Sequence, residues 1–445
     1  MGITKGFIFD YSKCVGCHAC VVACSVENST IPPLSWRSVT HYNRQKLPLL
    51  GYVHLSLACN HCQEAPCLKA CPSGAYKVDP ITKAVIHSPD LCLGCKYCTW
   101  ACPFDAPKFN VQSGVVEKCH FCYHRLKEGQ IPACAQNCPT GALSFGEIDE
   151  QPNPNAFGMS ERNIYPRIKV TGDEVKDAVP QLDQEATLSP NVSSRRLLPF
   201  VNNKSFDWLK EWPLAVFTFL SALLVGWQWS GVANQSIPLS PWVFAAVGGA
   251  GMLASTFHLG KPFRAYLSIV NIKTSWLSRE ILIFGLFMVT GFASKLLHLE
   301  SLEIASMLVG VLLLISIEML YATVGRSLKD MISSGSTFGI AIVFAALFAQ
   351  QMNILIALLA LKTMLFLVIA GQGQHKHSAA MAMISLVRLV IGFLIPFGLI
   401  SLKNESFSWG LLMFIIASEL IDRFMFYYEF KPERPFANNY EQPDY

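Results

Sequence analysis

No cysteine follows Cys138 in this chain of 445 residues, and all 16 lie within residues 14–138. Charge is also scarce: only 15% of the residues are Asp, Glu, Lys or Arg, and the formal net charge is +4. So modest a net charge argues against nucleic acid as a partner. In contrast, 52% of the residues are hydrophobic, which is above the fraction in an ordinary soluble domain and indicates membrane segments.

An apolar stretch is missing from the start of the chain as well. Residues 1–10 contain no h-region, so we expect no secretory signal. Disulfide frameworks belong to oxidising compartments, which makes them a poor explanation of these cysteines. Structural zinc sites usually combine two CxxC pairs, and that is not the spacing found here.

The cysteines fall into four groups of four, and three of the groups end in Cys-Pro. The third group has the spacing CxxCxxCxxxCP of bacterial ferredoxins, in which the fourth cysteine ligates the other cluster of a pair. The groups are Cys14, Cys17, Cys20 and Cys24; Cys59, Cys62, Cys67 and Cys71; Cys92, Cys95, Cys98 and Cys102; and Cys119, Cys122, Cys134 and Cys138.

Sixteen thiolates are enough for four [4Fe-4S] clusters, because each cubane takes four. We pair the two central groups and the two outer groups, and exchange the fourth ligand within each pair, although spacing alone does not fix the pairing. The predicted ligand sets are Cys14, Cys17, Cys20 and Cys138; Cys24, Cys119, Cys122 and Cys134; Cys59, Cys62, Cys67 and Cys102; and Cys71, Cys92, Cys95 and Cys98. No group lacks a ligand, so we expect an electron wire and not a catalytic cluster. We expect no heme.

The fold class that we expect is an α+β ferredoxin-like four-cluster domain followed by an all-α polytopic membrane domain. Residues 1–150 form the first, with short strands at 6–11, 53–57 and 84–87 before cysteine groups. An insertion at 27–52, which carries Arg37, docks a partner subunit or is surface padding. Residues 151–210 are an extended strap and linker with one strand inside 163–170, residues 211–430 form the membrane anchor, and residues 431–445 are a C-terminal tail.

Eight apolar segments in the second half are candidates for transmembrane helices, and several approach the ~20 residues that a span needs. Tryptophans lie at segment ends, as in an aromatic belt. The segments are 212–230, 242–258, 281–297, 304–324, 338–352, 354–371, 383–402 and 408–428.

Positive charge is unevenly divided between the two sides that eight spans create. The side of the cluster domain has Arg195, Arg196, Lys204, Lys210, Lys261, Arg264, Lys273, Arg279, Arg326, Lys329, Lys376, Lys431 and Arg434, and the opposite side has Lys295 and Lys403. The positive-inside rule therefore predicts a multi-pass protein of the inner (cytoplasmic) membrane, with its cluster domain in the cytoplasm.

Polar residues between the second and third segments suit the oxidation of a quinol, which releases two protons and two electrons. His258 and Glu280 can accept the protons, and Arg264 or Arg279 can hold the charge that develops on the quinone oxygen. The alternative is that these residues cap helices and meet lipid headgroups.

Several charged residues fall inside the apolar segments, where charges are costly and are usually functional or paired. Glu419 and Arg423 are four residues apart and can pair on one helical face. Glu318 and Lys362 could form a proton path.

The chain resembles the dimethyl sulfoxide reductase-type molybdoenzymes: the cysteine pattern is similar to their iron–sulfur electron-transfer subunit, and the second half to their membrane anchor. The anchor resemblance rests on EWPL at 211–214, HLGKPFRA at 258–265, SREI at 278–281 and ELIDRFMFY at 419–427. Here the two subunits are fused in one chain.

The resemblance implies a menaquinol or ubiquinol dehydrogenase module that serves a separate catalytic subunit with a bis-pterin molybdenum cofactor. His258 and Glu280 match family positions associated with quinol. Because the third group keeps all four cysteines, we expect four cubanes and no three-iron cluster. The cytoplasmic orientation fits a cytoplasmic nitrate reductase as well as a reductase of dimethyl sulfoxide.

Two alternatives stay open at the level of sequence. In the first, electrons flow in reverse, from a formate- or hydrogen-oxidising partner to quinone. In the second, the chain is an anchor and assembly platform without quinone chemistry.

Overall fold

The computed structural model describes residues 3–30, 32, 34–42, 53–149, 164–172, 211–231, 237–238, 240–324, 335–372, 379–402 and 407–430. These residues form two compact units, one made of the residues up to 172 and the other of the residues from 211 onwards. Most of the predicted linker, the whole C-terminal tail and the cations at 195, 196, 204, 210, 326, 329, 376, 403, 431 and 434 lie outside the described residues.

The first unit is built around a three-stranded sheet in the order β8–β1–β9. Strand β1 (Ile3–Asp10) runs antiparallel to β8 (Leu143–Asp149) and parallel to β9 (Ile168–Thr171). Alternation along β1 places the Phe7 and Phe9 side chains in the core, where both are buried. The strands predicted at 6–11 and inside 163–170 are therefore both in this sheet.

Among its described residues, three antiparallel hairpins and five short α-helices complete the first unit, and each cysteine group begins in a loop and continues into a short helix. This alternation is the ferredoxin-like α+β fold that the sequence predicts. The hairpins are β2 (Ser38–Tyr42) with β3 (Val53–Leu57), β4 (Tyr76–Val78) with β5 (Val85–His87), and β6 (Lys108–Asn110) with β7 (Val115–Glu117). The helices are α1 (Ala19–Asn28), α2 (Pro66–Ala70), α3 (Tyr97–Ala101), α4 (Tyr123–Lys127) and α5 (Ala133–Gln136).

The described part of the second unit is helical, and each of the eight predicted apolar segments contains helix. The helices are α6 (Trp212–Ser230), α7 (Pro241–Thr256), α8 (Trp276–Leu297), α9 (Glu300–Ala322), α10 (Thr337–Phe348), α11 (Met352–Gln372), α12 (Ala379–Leu389), α13 (Ile395–Leu402) and α14 (Trp409–Glu429). A π-helical turn, Val390–Leu394, joins α12 to α13, and a 3₁₀ helix, Pro262–Ile269, lies between α7 and α8. Within the described residues, α6, α8 and α9 are long and apolar enough to cross a membrane.

Helices α6 and α10 approach each other closely at a glycine. A Cβ atom added to Gly226 would lie 2.9 Å from the Phe344 Cβ and closer still to the Ala341 carbonyl oxygen. Small residues permit this kind of approach between membrane helices, because the gain from packing replaces the hydrophobic effect that lipid does not supply.

We expect the substitution Gly226→Ala to lower the thermal unfolding midpoint of the detergent-solubilised chain. The added methyl group forces the two backbones apart, and such overpacking costs about 1–3 kcal/mol. Gly249→Ala is the matched control, since a Cβ there has no neighbour within 4 Å. Equal midpoints for the two variants would contradict the close approach.

Candidate functional site

One turn recurs at the start of all four cysteine groups. The residue two positions after the first cysteine has a left-handed backbone in each group, with φ between 44° and 71°. In three groups its amide donates to the sulfur of that first cysteine at 3.4 Å: His61 to Cys59, Gly94 to Cys92 and Phe121 to Cys119. The turn curls the chain around the sulfur and points an N–H dipole at a group that carries negative charge when it binds metal.

Cysteines of different groups line the same cavities. One cavity is lined by Cys14, Cys17, Cys20 and Cys138, and a second by Cys71, Cys92, Cys95 and Cys98. In each cavity the fourth cysteine comes from another group of the sequence.

The remaining eight cysteines form two further sets by their electrostatic contacts. The Cys62 thiol faces those of Cys59, Cys67 and Cys102. Likewise Cys24 faces Cys122 and Cys134, and the Cys119 thiol is close to Cys24 and Cys134. The Asn28 amide donates to both Cys24 and Cys122, at 3.7 and 3.9 Å between Nδ2 and each sulfur.

Contacts between sets give their order in space. Cys20 of the first set faces Cys134 of the next, Cys119 faces Cys59, and Cys67 faces Cys98. The four sets therefore form a row, a geometry suited to passing single electrons from one set to its neighbour.

The donor set fits iron–sulfur clusters better than single metal ions. A structural zinc ion holds its sulfurs at about 2.3 Å. In the part of the chain that the structure describes, no three or more His, Cys, Asp or Glu side chains come close enough around one point to hold a single ion. Four cysteines line each of the two cavities, which is the number of thiolates that one cubane cluster takes.

Burial keeps most of these thiols protonated until metal arrives. It raises the pKa of the Cys24 and Cys95 thiols to about 12 and that of Cys102 to about 11, with a smaller contribution from neighbouring thiols. Loading of the sites therefore releases protons, because metals bind the thiolate.

Two buried cations lie among the cysteine sets, and sequence reasoning assigned neither to the clusters. Lys118 is 3% exposed, and its Nζ donates to the Cys119 carbonyl at 2.9 Å, to the Val85 carbonyl and to the Cys59 sulfur at 3.6 Å. Arg37 is 1% exposed, so the expectation that its insertion forms a docking surface or padding is wrong for this residue.

The four residues proposed for quinol chemistry have different environments. Glu280, in the second turn of α8, is buried. Arg279 lies over the Trp276 ring and donates to the carbonyls of Ile272 and Lys273 at 3.0 and 2.6 Å, which closes the loop before α8. His258 follows α7 and Arg264 lies in the 3₁₀ helix, and both are half-buried.

Arg423 is the cation that the structure places near Glu280, and electrostatic contacts also connect Glu280 with Tyr321 and Tyr427. The Arg423 guanidinium is fully buried and lies 5.6 Å and 5.2 Å from the two tyrosine ring centroids. Its Nε donates to Thr218 Oγ1 at 2.8 Å and its Nη1 to the Gly335 carbonyl at 2.9 Å. Among the described residues, its Nη2 has no hydrogen-bond partner.

The predicted pair between Glu419 and Arg423 is therefore wrong. Glu419 pairs with Lys362, because α11 brings that ammonium group against α14. A charge inside an apolar segment was a sufficient signal to single out Arg423, but the signal did not identify its partner.

Four further charged residues of the second unit have partners in the helix bundle. Arg388 binds both carboxylate oxygens of Asp422, at 2.6 and 2.9 Å, and Lys362 Nζ lies 3.8 Å from Asp422 Oδ2. Glu318 accepts two hydrogen bonds from Thr337 at the start of α10, at 2.7 and 2.6 Å. Glu318 and Lys362 therefore each have a partner in the helix bundle, and the proton path through them stays a prediction.

Comparisons with known proteins agree with the division into two units. Residues 7–27 match the family model described as a 4Fe-4S binding domain, and residues 50–148 match the 4Fe-4S dicluster domain. Residues 207–370 match the DMSO reductase anchor subunit (DmsC).

Individual relatives match about a third of the chain. The B subunit of the anaerobic dimethyl sulfoxide reductase of Escherichia coli K12 is 39% identical over 153 residues, which is 33% of this chain and 74% of the relative. The corresponding subunit of Haemophilus influenzae is 38% identical over 155 residues, 33% of this chain and 75% of the relative. The chain belongs to the dimethyl sulfoxide reductase family of iron–sulfur and anchor subunits. Protein NrfC of E. coli K12 is also similar, 38% identical over 151 residues, 34% of this chain and 68% of the relative.

Membership of this family confirms the resemblance seen in the motifs. The chain is a fused iron–sulfur and membrane anchor subunit, embedded in a membrane, and it transfers electrons.

Substitutions of single cysteines test the exchanged pairing. We expect Cys17→Ser and Cys138→Ser each to lower the iron content of the purified chain from about 16 to about 12 irons, since each cubane contains four. The double variant of Cys17 and Cys138 should lose no further iron, because both residues ligate the same cluster.

The matched comparison is the double variant of Cys122 and Cys138, which should lose two clusters. Chemical iron analysis and electron paramagnetic resonance (EPR) count them. If Cys122 and Cys138 instead behaved as ligands of one cluster, the exchange of fourth ligands would be refuted.

Proposed function

We propose that the chain oxidises a membrane quinol and passes its electrons through four [4Fe-4S] clusters to a separate molybdenum-containing reductase subunit. The observation that carries the proposal is the buried Glu280 carboxyl facing Arg423 and two tyrosines in the unit that matches an anchor subunit. Charged groups inside membrane helices usually mark a functional site when they do not form ion pairs with one another.

The arrangement supplies the groups that quinol oxidation requires. Glu280 accepts a proton from the quinol hydroxyl, as a general base. The Nη2–H of Arg423, which has no partner among the described residues, donates to the oxygen that becomes negative as the proton leaves. The hydroxyls of Tyr321 and Tyr427 hydrogen-bond to each other beside these groups and can carry the proton away. The roles predicted for His258, as a second proton acceptor, and for Arg264 or Arg279, as the group that holds the charge on the quinone oxygen, stay predictions.

The row of cysteine sets supports the path of the electrons. When bound, the clusters accept and release one electron at a time. The relatives from E. coli and H. influenzae are subunits of dimethyl sulfoxide reductases, so we propose a catalytic partner of that class, with a bis-pterin molybdenum cofactor, for this chain. A nitrate-reducing subunit is an equal candidate for this partner, and the terminal substrate would then be nitrate.

We further propose eight membrane spans in the inner membrane, with the cluster domain on the cytoplasmic side. The asymmetric distribution of Lys and Arg supports this orientation. Protons from the quinol would then be released on the side where the reductase consumes them.

Replacement of Glu280 by Gln should slow reduction of the clusters by quinol about 10²-fold or more, because the base is lost and the shape of the side chain is kept. Stopped-flow absorbance of the clusters measures the rate. Reduction by dithionite should stay unchanged, since it bypasses the quinol site. Glu300→Gln is the matched control, as that carboxyl is exposed at the start of α9. Unaltered quinol oxidation in the Glu280 variant would favour an anchor without quinone chemistry.

Quinol-driven turnover of the complete complex in sealed vesicles should build no membrane potential, because protons are released and consumed on one side. A potential-sensitive dye reports the result, and an added ionophore gives the zero level. A potential sustained by turnover would contradict the proposed orientation.

A further inference from the structure

Arg37 occupies a position in the cluster domain that the proposed electron path leaves unexplained. It directly precedes β2, and its guanidinium lies over the Phe7 ring at 4.6 Å from Cζ to the centroid. Its Nη1 donates to the Ser56 hydroxyl at 3.0 Å and to the Ser56 carbonyl at 3.4 Å. One edge of the guanidinium is thus held by β3.

The other edge has no protein partner among the described residues. Both Nε and Nη2 are buried and make no hydrogen bond, and no described carboxylate lies within ion-pair distance. Burial of a permanently charged guanidinium with two unsatisfied donors is strongly unfavourable, which favours a partner that is negative and accepts hydrogen bonds.

The surroundings identify that partner. The groups that act most strongly on Arg37 when they are thiolates, as they are when they bind metal, are Cys134, Cys20, Cys119 and Cys24. Cys20 lines the cavity of the first set, whereas the other three belong to the second set. The guanidinium therefore lies between two neighbouring sets in the row.

Ser56 extends the contact to the first set. Its hydroxyl oxygen is 3.3 Å from the Cys20 sulfur while it accepts from Arg37. The hydroxyl hydrogen is free to point at the sulfur. Ser56 then links the guanidinium to a cluster ligand through two consecutive hydrogen bonds, in which each bond polarises the next.

We propose that Arg37 is a cluster-binding residue shared by two adjacent [4Fe-4S] clusters, those of Cys20 and of Cys24. Its free Nε–H and Nη2–H donate to cluster sulfur, and its positive charge favours the extra electron of each reduced cluster. The residue thereby raises the reduction potential of both clusters together. This inference rests on the cluster assignment in the proposed function, but not on quinol oxidation.

Lys118 shows what distinguishes Arg37. It is also a buried cation between sets, but the carbonyls of Val85 and Cys119 accept from its ammonium group. Arg37 has no comparable acceptors on its free edge among the described residues, so its hydrogen bonds depend on the clusters.

Redox titration of the full chain in membranes, followed by EPR, tests the proposal. We expect Arg37→Gln to lower the midpoint potentials of two clusters and to leave the other two unchanged. Arg37→Lys should lower the two midpoint potentials less, since lysine keeps the positive charge and loses only the forked pair of N–H donors. The Cys17→Ser and Cys122→Ser variants, each of which removes one of the two clusters, identify the signals. Lys5→Gln is the matched control for charge, as Lys5 is exposed on β1 and water screens it.

Arg37→Gln with full iron content and four unshifted potentials would overturn the proposal. A second measurement uses the wild-type chain and so does not depend on a variant that binds its clusters. Pulsed EPR of this chain, grown with ¹⁵N-arginine, should show weak ¹⁵N coupling to a reduced cluster. Absence of that coupling would equally overturn the proposal. Dithionite supplies the electrons in both experiments, so a failure of quinol oxidation cannot imitate either result, and a wild-type chain with about four irons would count against the four-cluster assignment instead.

Discussion

The cluster domain depends on one interaction, the hydrogen bond from a left-handed residue to the cysteine sulfur two positions before it. The turn fixes the direction of the first thiol in each group, and with it the place where the remaining thiols must converge. Two of the four left-handed positions are glycine, which adopts this backbone without strain, and the other two are His61 and Phe121. At those two, the surrounding structure must maintain a conformation that the side chain disfavours. Both rings are buried and pack together with their centroids 3.9 Å apart, which helps to hold the two turns in place.

Much of this domain was predictable because its information is local. Spacing identifies the cysteine groups, and the strand predicted at 53–57 has the bounds observed for β3. The burial of Arg37 was not predictable, since it results from contacts with cysteines that lie up to about a hundred positions away in the sequence. When the partners of a polar insertion are metal clusters, its sequence looks like that of an exposed loop. The pattern of apolar residues, from which burial is predicted, carries no signal for such partners.

In the membrane half, the sequence indicated which residues were unusual but not how they are paired. Glu280 was identified from the chemistry of its stretch, and its burial agrees with a special role. Arg423 was assigned to Glu419 from helical spacing, yet in a bundle the nearest partner often belongs to another helix. Thr218 of α6 and Glu280 of α8 meet Arg423 across such contacts, and a single sequence carries no signal for them.

The cavity shared by Cys14, Cys17, Cys20 and Cys138 has a consequence for biosynthesis. A ribosome delivers the first three of these thiols long before the fourth, and β9, which pairs with β1, emerges later still. The segment that carries Cys14, Cys17 and Cys20 therefore waits for one of the last pieces of its domain to be synthesised. The order of translation makes the N-terminal centre one of the last to close, while the hydrophobic helices that follow are still to be inserted.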